Sequence, residues 1–575
     1  MDSTPEGNVP FDTITAGGAL LARLKAVGVD YIFANSGTDF PPIIEGLAEA
    51  AAKEIDLPQA VVVPHETAAM AMAHGYYLAS GRSQAVIAHT NVGLANCAIG
   101  AINAAVERVP VLLFSGRTPT LEQGRFGART VPIGWGQEMR DQTALVREAS
   151  KWDYELRFPE QTQEIVDRAF AIANSTPRGP VYVSLPREVL CEAAPRAGLD
   201  QPPIMKPATV YPSVALVEEA ARVLAEAKHP VIFAQHGAGS AEAFRALGEM
   251  ADEWGIPVCQ YWAVQLALPT DHPMAADMNP APLLEKADAI LVLDSLAPWS
   301  PNVHTPLDRA TVIQMGPDPL SSRIPVRNFR SSISIACELS EGILALKRAL
   351  ERFKAEQEEK RLSRREAVAH ANRETRQRVL ADAEAGCHGT MTKEWASLCL
   401  SRALEGRGAT VLSELGCPLA PMSLDHHRAW YQEPHAGGLG WSFPAALGMQ
   451  LADRNRLIVA TMGDGSYMFS NPVVCHQVAE ALNLPIVVLI TNNAEWGAVR
   501  QSVLGLYPQG YAARANAMPL TQLAPVPDFT RVAEASRAWA RRVENGADLP
   551  QALTEAIRHA EEKRGLALLD VKVRS

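Results

Sequence analysis

Gly463-Asp464-Gly465-Ser466 and, 29 positions beyond Asp464, the second residue of an Asn492-Asn493 pair are the groups in this chain best suited to hold a charged ligand. The first element follows an apolar run at 457–461 and opens a helical pattern at 471–482; the second ends the apolar run 486–490. Two adjacent strand ends that converge on one point are where open parallel sheets take ligands. Asp464 offers a hard carboxylate and Asn493 a neutral carbonyl oxygen, and the backbone carbonyl of Glu495 adds a third oxygen. That set suits Mg²⁺, which keeps a near-octahedral shell of oxygens and brings phosphate oxygens with it. Gly463 and Gly465 let the backbone approach, and free N–H groups at the helix start, around Gly465 and Ser466, face a diphosphate.

An α/β scaffold must position these groups. Short β-rich runs at 60–63, 85–88, 111–114 and 181–185 alternate with helical stretches at 67–79 and 163–173. The theme recurs at 231–234, 289–293 and 311–315, and again at 457–460, 486–490 and 568–571. Such alternation predicts parallel sheets covered by helices. We expect three doubly wound parallel-sheet domains, at 11–192, 213–350 and 389–575. A Pro-rich linker at 193–212 and a charged helical linker at 351–388 separate them. The dense Glu, Arg and Lys of that second linker read as a solvated helix with i,i+4 ion pairs. A length of 575 residues agrees, at roughly 150 residues per domain.

Composition excludes several classes of partner. The net charge of −11 disfavours nucleic acid and anionic membranes. No run approaches the ~18 apolar residues that would span a bilayer, and the first eleven residues carry neither the basic nor the apolar region of a secretory leader. The eight cysteines are scattered, with no C-x-x-C pair, which argues against zinc and disulfides and for a reducing, cytoplasmic compartment.

The segment from Asp464 to Asn493 resembles the signature of thiamine-diphosphate enzymes of the pyruvate oxidase and decarboxylase group. The resemblance covers nearly the whole chain. Gly437-Gly438-Leu439-Gly440-Trp441-Ser442-Phe443-Pro444-Ala445-Ala446-Leu447-Gly448 is similar to the family segment that packs on the cofactor, and Gly497-Ala498-Val499-Arg500 and Gly179-Pro180-Val181-Tyr182-Val183 also match. The resemblance implies thiamine diphosphate with Mg²⁺ on Asp464, Asn493 and Glu495. It implies cofactor contacts at Asn96, Gly438, Leu439, Gly440, Gly465 and Ser466, with Leu439 beneath the bent rings. Glu66, in Pro64-His65-Glu66-Thr67, would be the carboxylate that binds the aminopyrimidine and drives its amine toward the proton-accepting imino form. The two ends meet across a subunit interface in the family, so a homodimer is the minimum unit and a homotetramer is expected.

The reaction depends on the substrate side. Asn35-Ser36-Gly37-Thr38-Asp39 resembles the loop that reaches the reacting carbon in benzoylformate decarboxylase, which singles out Ser36 and Thr38, and His89 matches that family's active-site histidine. The second decarboxylase histidine would fall near Pro301 and is absent. Glu495 beside the Asn pair suits transfer of a hydroxyl proton from a substrate that is neutral there. The segment 505–527 is shaped for a lid. In the central domain, Arg323, Arg327 and Arg330 are either a solvated basic face or a phosphate contact, which would place ADP or the nucleotide of CoA there; Asp294 in place of the family's usual Gly argues against FAD. Together these features are similar to bacterial 2-hydroxyacyl-CoA lyases, which cleave an acyl-CoA substrate to formyl-CoA and an aldehyde or ketone. The alternative is a 2-oxoacid decarboxylase or carboligase without CoA.

Overall fold

The computed structural model describes residues 13–574; the expected domain start at residue 11 and the N-terminal stretch lie outside the described residues. The chain forms two units, Met1–Ala208 with Pro434–Gly438, and Thr209–Glu433 with Leu439–Ser575.

The first unit holds a six-stranded parallel sheet in the order Gln59–Val62, Tyr31–Ala34, Ala85–Ala88, Leu112–Arg117, Val181–Pro186, Asp153–Glu155. Its central strands are apolar on both faces because helices cover both; Phe33, Val86, Leu112, Phe114 and Val183 are all buried. The chain reverses its winding between Tyr31–Ala34 and Ala85–Ala88, so the carboxyl ends of these strands open a crevice. Helix Glu66–Ser80 begins there. His65 caps it by accepting from the Thr67 amide at 3.3 Å, and Gly81 ends it at φ 72°, a left-handed turn that glycine adopts without a Cβ clash.

The second unit holds two parallel sheets. One runs Val258–Cys259, Pro230–Ala234, Ala289–Leu293, Thr311–Gly316, Ile333–Ala336. The other runs Trp430–Gln432, Thr410–Glu414, Ile458–Gly463, Val487–Asn492, Ala567–Lys572, Trp539–Val543. In this second sheet the winding reverses between Thr410–Glu414 and Ile458–Gly463, which puts Asp464 at the switch point. Three doubly wound parallel sheets are thus present, as expected. No helix among the described residues is long and apolar enough to cross a membrane.

The charged segment forms helix Glu358–Ala385, but it is docked rather than merely solvated. Arg364 donates to the carbonyls of Trp254 at 3.1 Å and Ala227 at 3.0 Å, and Arg376 donates to that of Met422 at 2.8 Å. Trp254 is the last residue of helix Ala241–Trp254, whose final carbonyls lack intrahelical partners, and a guanidinium satisfies them. Burial lowers the Arg364 guanidinium to about 10.

Buried neutral histidines set an acid limit to stability. Burial pulls His74 in the first unit down to about 4 and His476 in the second down to about 3. A folded value below the unfolded one means that the unfolded chain takes up the proton first, so stability is complete above about pH 6.5 and lost as pH falls toward the folded value. For His74 the full loss is roughly 3 kcal/mol. Thermal midpoints are therefore expected to be flat from pH 8 to 7 and to fall from pH 6.5 to 4. His74→Gln should flatten part of that slope; an unchanged slope would remove His74 from the account.

Candidate active site

Two clusters occupy the switch points of the two six-stranded sheets. In the first unit, Glu66 stands in the first turn of helix Glu66–Ser80 and is only 4% exposed. Its oxygens are held separately: Asn35 Nδ2 donates to Oε1 at 3.0 Å and Asn96 Nδ2 to Oε2 at 2.9 Å. Asn35 comes from the loop after Tyr31–Ala34 and Asn96 from helix Thr90–Val106, so three elements fix one carboxylate. Thr67 Oγ1 binds the Asn96 carbonyl at 2.9 Å and ties the two helices together beside it. Asn96 therefore orients Glu66.

His89 follows strand Ala85–Ala88, and its Nδ1 lies 2.5 Å from Oδ1 of the buried Asp39. Its Nε2 lies 3.1 Å from Gln137 Nε2. The hydrogen bond to Asp39, opposed by burial and helped by the charges of Asp39 and Glu66, holds the imidazole above its ordinary value. Ser36 and Thr38 sit exposed on the same loop as Asp39.

In the second unit, Asp464 opens helix Asp464–Phe469 and is 2% exposed. Oδ1 accepts from the Gly465 amide at 2.8 Å, whereas Oδ2 is buried with no hydrogen-bond partner. Burial raises this carboxyl above the usual range. A buried, unsatisfied carboxylate oxygen at a strand end is what a divalent cation would satisfy, so the residues fit the implied Mg²⁺. The Asn pair divides its work. Asn492 is buried and structural: Nδ2 donates to Asp570 at 2.9 Å and Oδ1 accepts from the Ala494 amide at 3.2 Å. Asn493 is half-buried, and its Oδ1 accepts only a 3.2 Å contact from the Glu495 amide. Ser466 is buried in the same helical turn.

Glu495 is buried, and its Oε1 accepts from Thr521 Oγ1 at 2.8 Å and Gln522 Nε2 at 3.2 Å, with Arg500 at 3.5 Å. The side chain thus pins the end of the segment expected to be a lid, in which Tyr511 stands exposed. Its backbone carbonyl already accepts from the Gly497 amide at 2.8 Å.

Asn103 and Glu414 were not singled out from the sequence. Asn103 brackets Gly438, donating to its carbonyl at 2.9 Å and accepting from its amide at 3.2 Å. Glu414 accepts from the amides of Gly440, Trp441 and Ser442 at 2.5, 2.8 and 2.7 Å. It thereby caps helix Ser442–Ala452 and sets the turn that carries the half-buried Leu439. The one signal for Glu414 is a carboxylate ending an apolar strand.

At the switch point of the five-stranded sheet, Gln235 Nε2 donates to the carbonyls of Tyr261 and Ala297 at 2.9 and 2.7 Å. Arg327 donates to those of Leu296 and Ser295, each at 2.8 Å, and Arg330 to that of Asp308, also at 2.8 Å. Arg323 is exposed. Arg327 thus closes loops at this crevice with the groups a phosphate would need, whereas Arg330 binds the carbonyls that precede strand Thr311–Gly316, at the opposite end of the sheet.

Three parallel sheets, a buried aspartate with one unsatisfied oxygen at one switch point and an amide-held carboxylate at another form a frame suited to an enzyme with a diphosphate cofactor. Comparison with known proteins gives the same class. The chain matches the N-terminal TPP binding domain of thiamine pyrophosphate enzymes over residues 14–145, their central domain over 217–342 and their C-terminal TPP binding domain over 416–571. It belongs to the thiamine-diphosphate-dependent enzymes of the decarboxylase and synthase superfamily. A probable 2-ketoarginine decarboxylase, AruI, of Pseudomonas aeruginosa is 26% identical over 584 residues, covering 98% of this chain and 95% of the relative. An acetolactate synthase of Mycobacterium bovis is 24% identical over 576 residues, covering 95% and 87%. In fold the chain is similar to the thiamine diphosphate-dependent 4-hydroxybenzoylformate decarboxylase of Rhodococcus jostii RHA1, with a TM-score of 0.77 at 21% identity over 98% of this chain and 99% of that one.

Proposed function

We propose that this chain is a 2-oxoacid decarboxylase or carboligase that works with thiamine diphosphate and Mg²⁺ and needs no CoA. The observation that carries this is the cluster in the first unit: a carboxylate oriented by two amides, with the protonatable imidazole of His89 at the neighbouring strand end. An imidazolium suits a substrate that carries its own carboxylate and develops charge on its 2-oxo oxygen. The similarity to a 2-ketoarginine decarboxylase over 98% of this chain supports the same substrate class.

Asp464 and Asn493 would hold Mg²⁺ with the Glu495 carbonyl, the amides of Gly465 and Ser466 would face the diphosphate, Gly438, Leu439 and Gly440 would form the seat under the rings, and Glu66 would receive the aminopyrimidine. When bound, the cofactor supplies the nucleophilic carbon and the electron sink. Glu66 accepts a hydrogen bond at its free lone pairs while Asn35 and Asn96 prevent its rotation. The active unit in this reading is a homodimer at least, with Glu66 of one copy serving the Asp464 motif of the other, and a homotetramer is the expected assembly.

A 2-hydroxyacyl-CoA lyase draws support from Glu495, buried beside the Asn493 turn. Two things weigh against it: the Glu495 carboxylate is engaged by Thr521, Gln522 and Arg500, and Arg327 and Arg330 are engaged by loop carbonyls rather than left for the phosphates of CoA.

Paired kinetics separate the two. Wild type is expected to turn over a 2-oxoacid such as benzoylformate without CoA and to leave 2-hydroxyacyl-CoA intact. Glu495→Gln keeps an acceptor for Thr521, so 2-oxoacid turnover should stay within about tenfold, where a lyase using Glu495 as its base would lose ~10²–10⁴-fold. Formyl-CoA release from a 2-hydroxyacyl-CoA by wild type, collapsing in the variant, would install the lyase instead.

A further inference from the structure

Asp39 is buried, 5% exposed, at the end of the loop that follows strand Tyr31–Ala34. Oδ1 meets His89 Nδ1 at 2.5 Å, and Oδ2 accepts from the Thr90 amide at 3.3 Å. The packing around the pair is tight. A Cβ on Gly116 would stand 1.5 Å from Asp39 Oδ2, and one on Gly37 would stand 2.1 Å from His89 Nδ1. Both positions therefore leave room only for hydrogen, and the carboxylate and ring are confined from two sides.

The other end of the ring faces Gln137, whose Nε2 lies 3.1 Å from His89 Nε2. A carboxamide suits a ring that changes charge. It donates through its nitrogen to a neutral imidazole and, turned over, accepts through its oxygen from an imidazolium. The charged groups that face the ring are Asp39 and Glu66. Arg187 reaches the same loop but donates to the Thr38 carbonyl at 3.2 Å. Glu138, next to Gln137, is turned toward Arg117 at 2.9 Å and Arg129 at 2.5 Å.

We propose that Asp39 is a positioning residue for His89: it fixes the ring with Nδ1–H toward the carboxylate and keeps Nε2 protonated, so that Nε2 delivers its proton to the 2-oxo oxygen of the substrate. This rests on the 2-oxoacid reading for the identity of the substrate. As the 2-oxo carbon becomes tetrahedral, the C=O π pair moves to oxygen and takes the proton from Nε2. His89 is left neutral, with Nδ1–H still on Asp39. The proton returns to Nε2 when the carbonyl re-forms or from solvent. For this transfer Gln137 yields Nε2 to the substrate oxygen, and it donates to the neutral ring through its nitrogen once the proton has left. The Asp39 charge favours the imidazolium, in agreement with the raised value of His89.

Two measurements on the cofactor-loaded enzyme test this. The first is the pH dependence of His89 modification by diethylpyrocarbonate, followed by peptide mass spectrometry, in wild type and Asp39→Asn. Only the neutral ring reacts, so wild type should show a midpoint above that of N-acetylhistidine, and Asp39→Asn a lower one. The second is the pH profile for a 2-oxoacid. The variant is expected to lose about 10²-fold in kcat at pH 8, less at pH 6, with KM little changed and the alkaline limb moved to lower pH. A merely structural Asp39 would depress all pH values alike. Equal His89 midpoints in the two proteins overturn the proposal. If wild type turns over no 2-oxoacid, the proposed function fails, and the modification midpoints still decide whether Asp39 holds the proton on His89. If Asp39→Asn does not fold, wild type alone decides: a His89 midpoint no higher than that of N-acetylhistidine sinks the proposal.

Discussion

Glu66→Gln is expected to leave a folded protein that binds thiamine diphosphate but has lost turnover by ~10²–10⁴-fold or more. The present carboxylate accepts from Asn35 on one oxygen and Asn96 on the other. A glutamine keeps one of these and sets its own NH₂ against the other amide, which must turn over or lose its partner. The local cost is about 1 kcal/mol, well short of unfolding. The chemical cost is larger. A neutral amide would offer no negative charge to the aminopyrimidine of a bound cofactor, so the base strength that Glu66 would lend to its amine is lost. Hydrogen–deuterium exchange at C2, quenched with acid and read by NMR, measures this step apart from any substrate. Wild-type exchange in the variant would leave Glu66 a structural carboxylate and move the aminopyrimidine site elsewhere.

Asp464→Asn should act on binding rather than on chemistry, and in opposite directions with and without the cofactor. Oδ2 of Asp464 is buried without a partner, and burial raises the carboxyl. Asparagine puts either a weaker acceptor or an NH₂ at that point, and neither neutralises a divalent cation. Since Asp464 would hold the cation that neutralises the diphosphate, Mg²⁺ and thiamine diphosphate should weaken together, by about 10²-fold, which is roughly 2.7 kcal/mol. The cofactor-free protein should become slightly more stable, because an unpaired buried charge has been removed. Calorimetric titration with both ligands and the thermal midpoint of the cofactor-free protein read the two effects. Unchanged affinity would mean that the Gly-Asp-Gly-Ser turn serves only the fold.

The strands were the most legible part of the chain. Ala85–Ala88 and Ala289–Leu293 coincide with their apolar runs, and Ile458–Gly463 and Val487–Asn492 begin one residue after their runs do. Parallel strands buried on both faces need unbroken Val, Ile, Leu and Ala, and that need is written locally. Asp464 and Asn493 were legible for the same reason, since each directly follows a strand built on such a run. Glu495 was legible as a position but not as a side chain: its partners Thr521 and Gln522 are 26 and 27 residues away, and nothing near Glu495 shows which way it turns. The charged stretch now in helix Glu358–Ala385 read as solvated because its docking partners, the carbonyls of Ala227, Trp254 and Met422, are backbone atoms that no pattern of residue types reveals.

By itself the sequence determined the scaffold and the cofactor class, because both rest on short-range features: apolar runs of strand length, a glycine-flanked aspartate at one strand end and an asparagine at the next. Only the tertiary structure decided which groups orient the chemistry. Asn35 reaches Glu66 across 31 positions, Asp39 reaches His89 across 50, and Glu414 reaches the Gly440 turn across 26. Each pair meets because the chain reverses its winding at a switch point and brings strand ends from distant parts of the sequence to one crevice. Strand order is set by the packing of whole sheets against their helices, so the hydrogen bonds that depend on it exist only once the fold has formed.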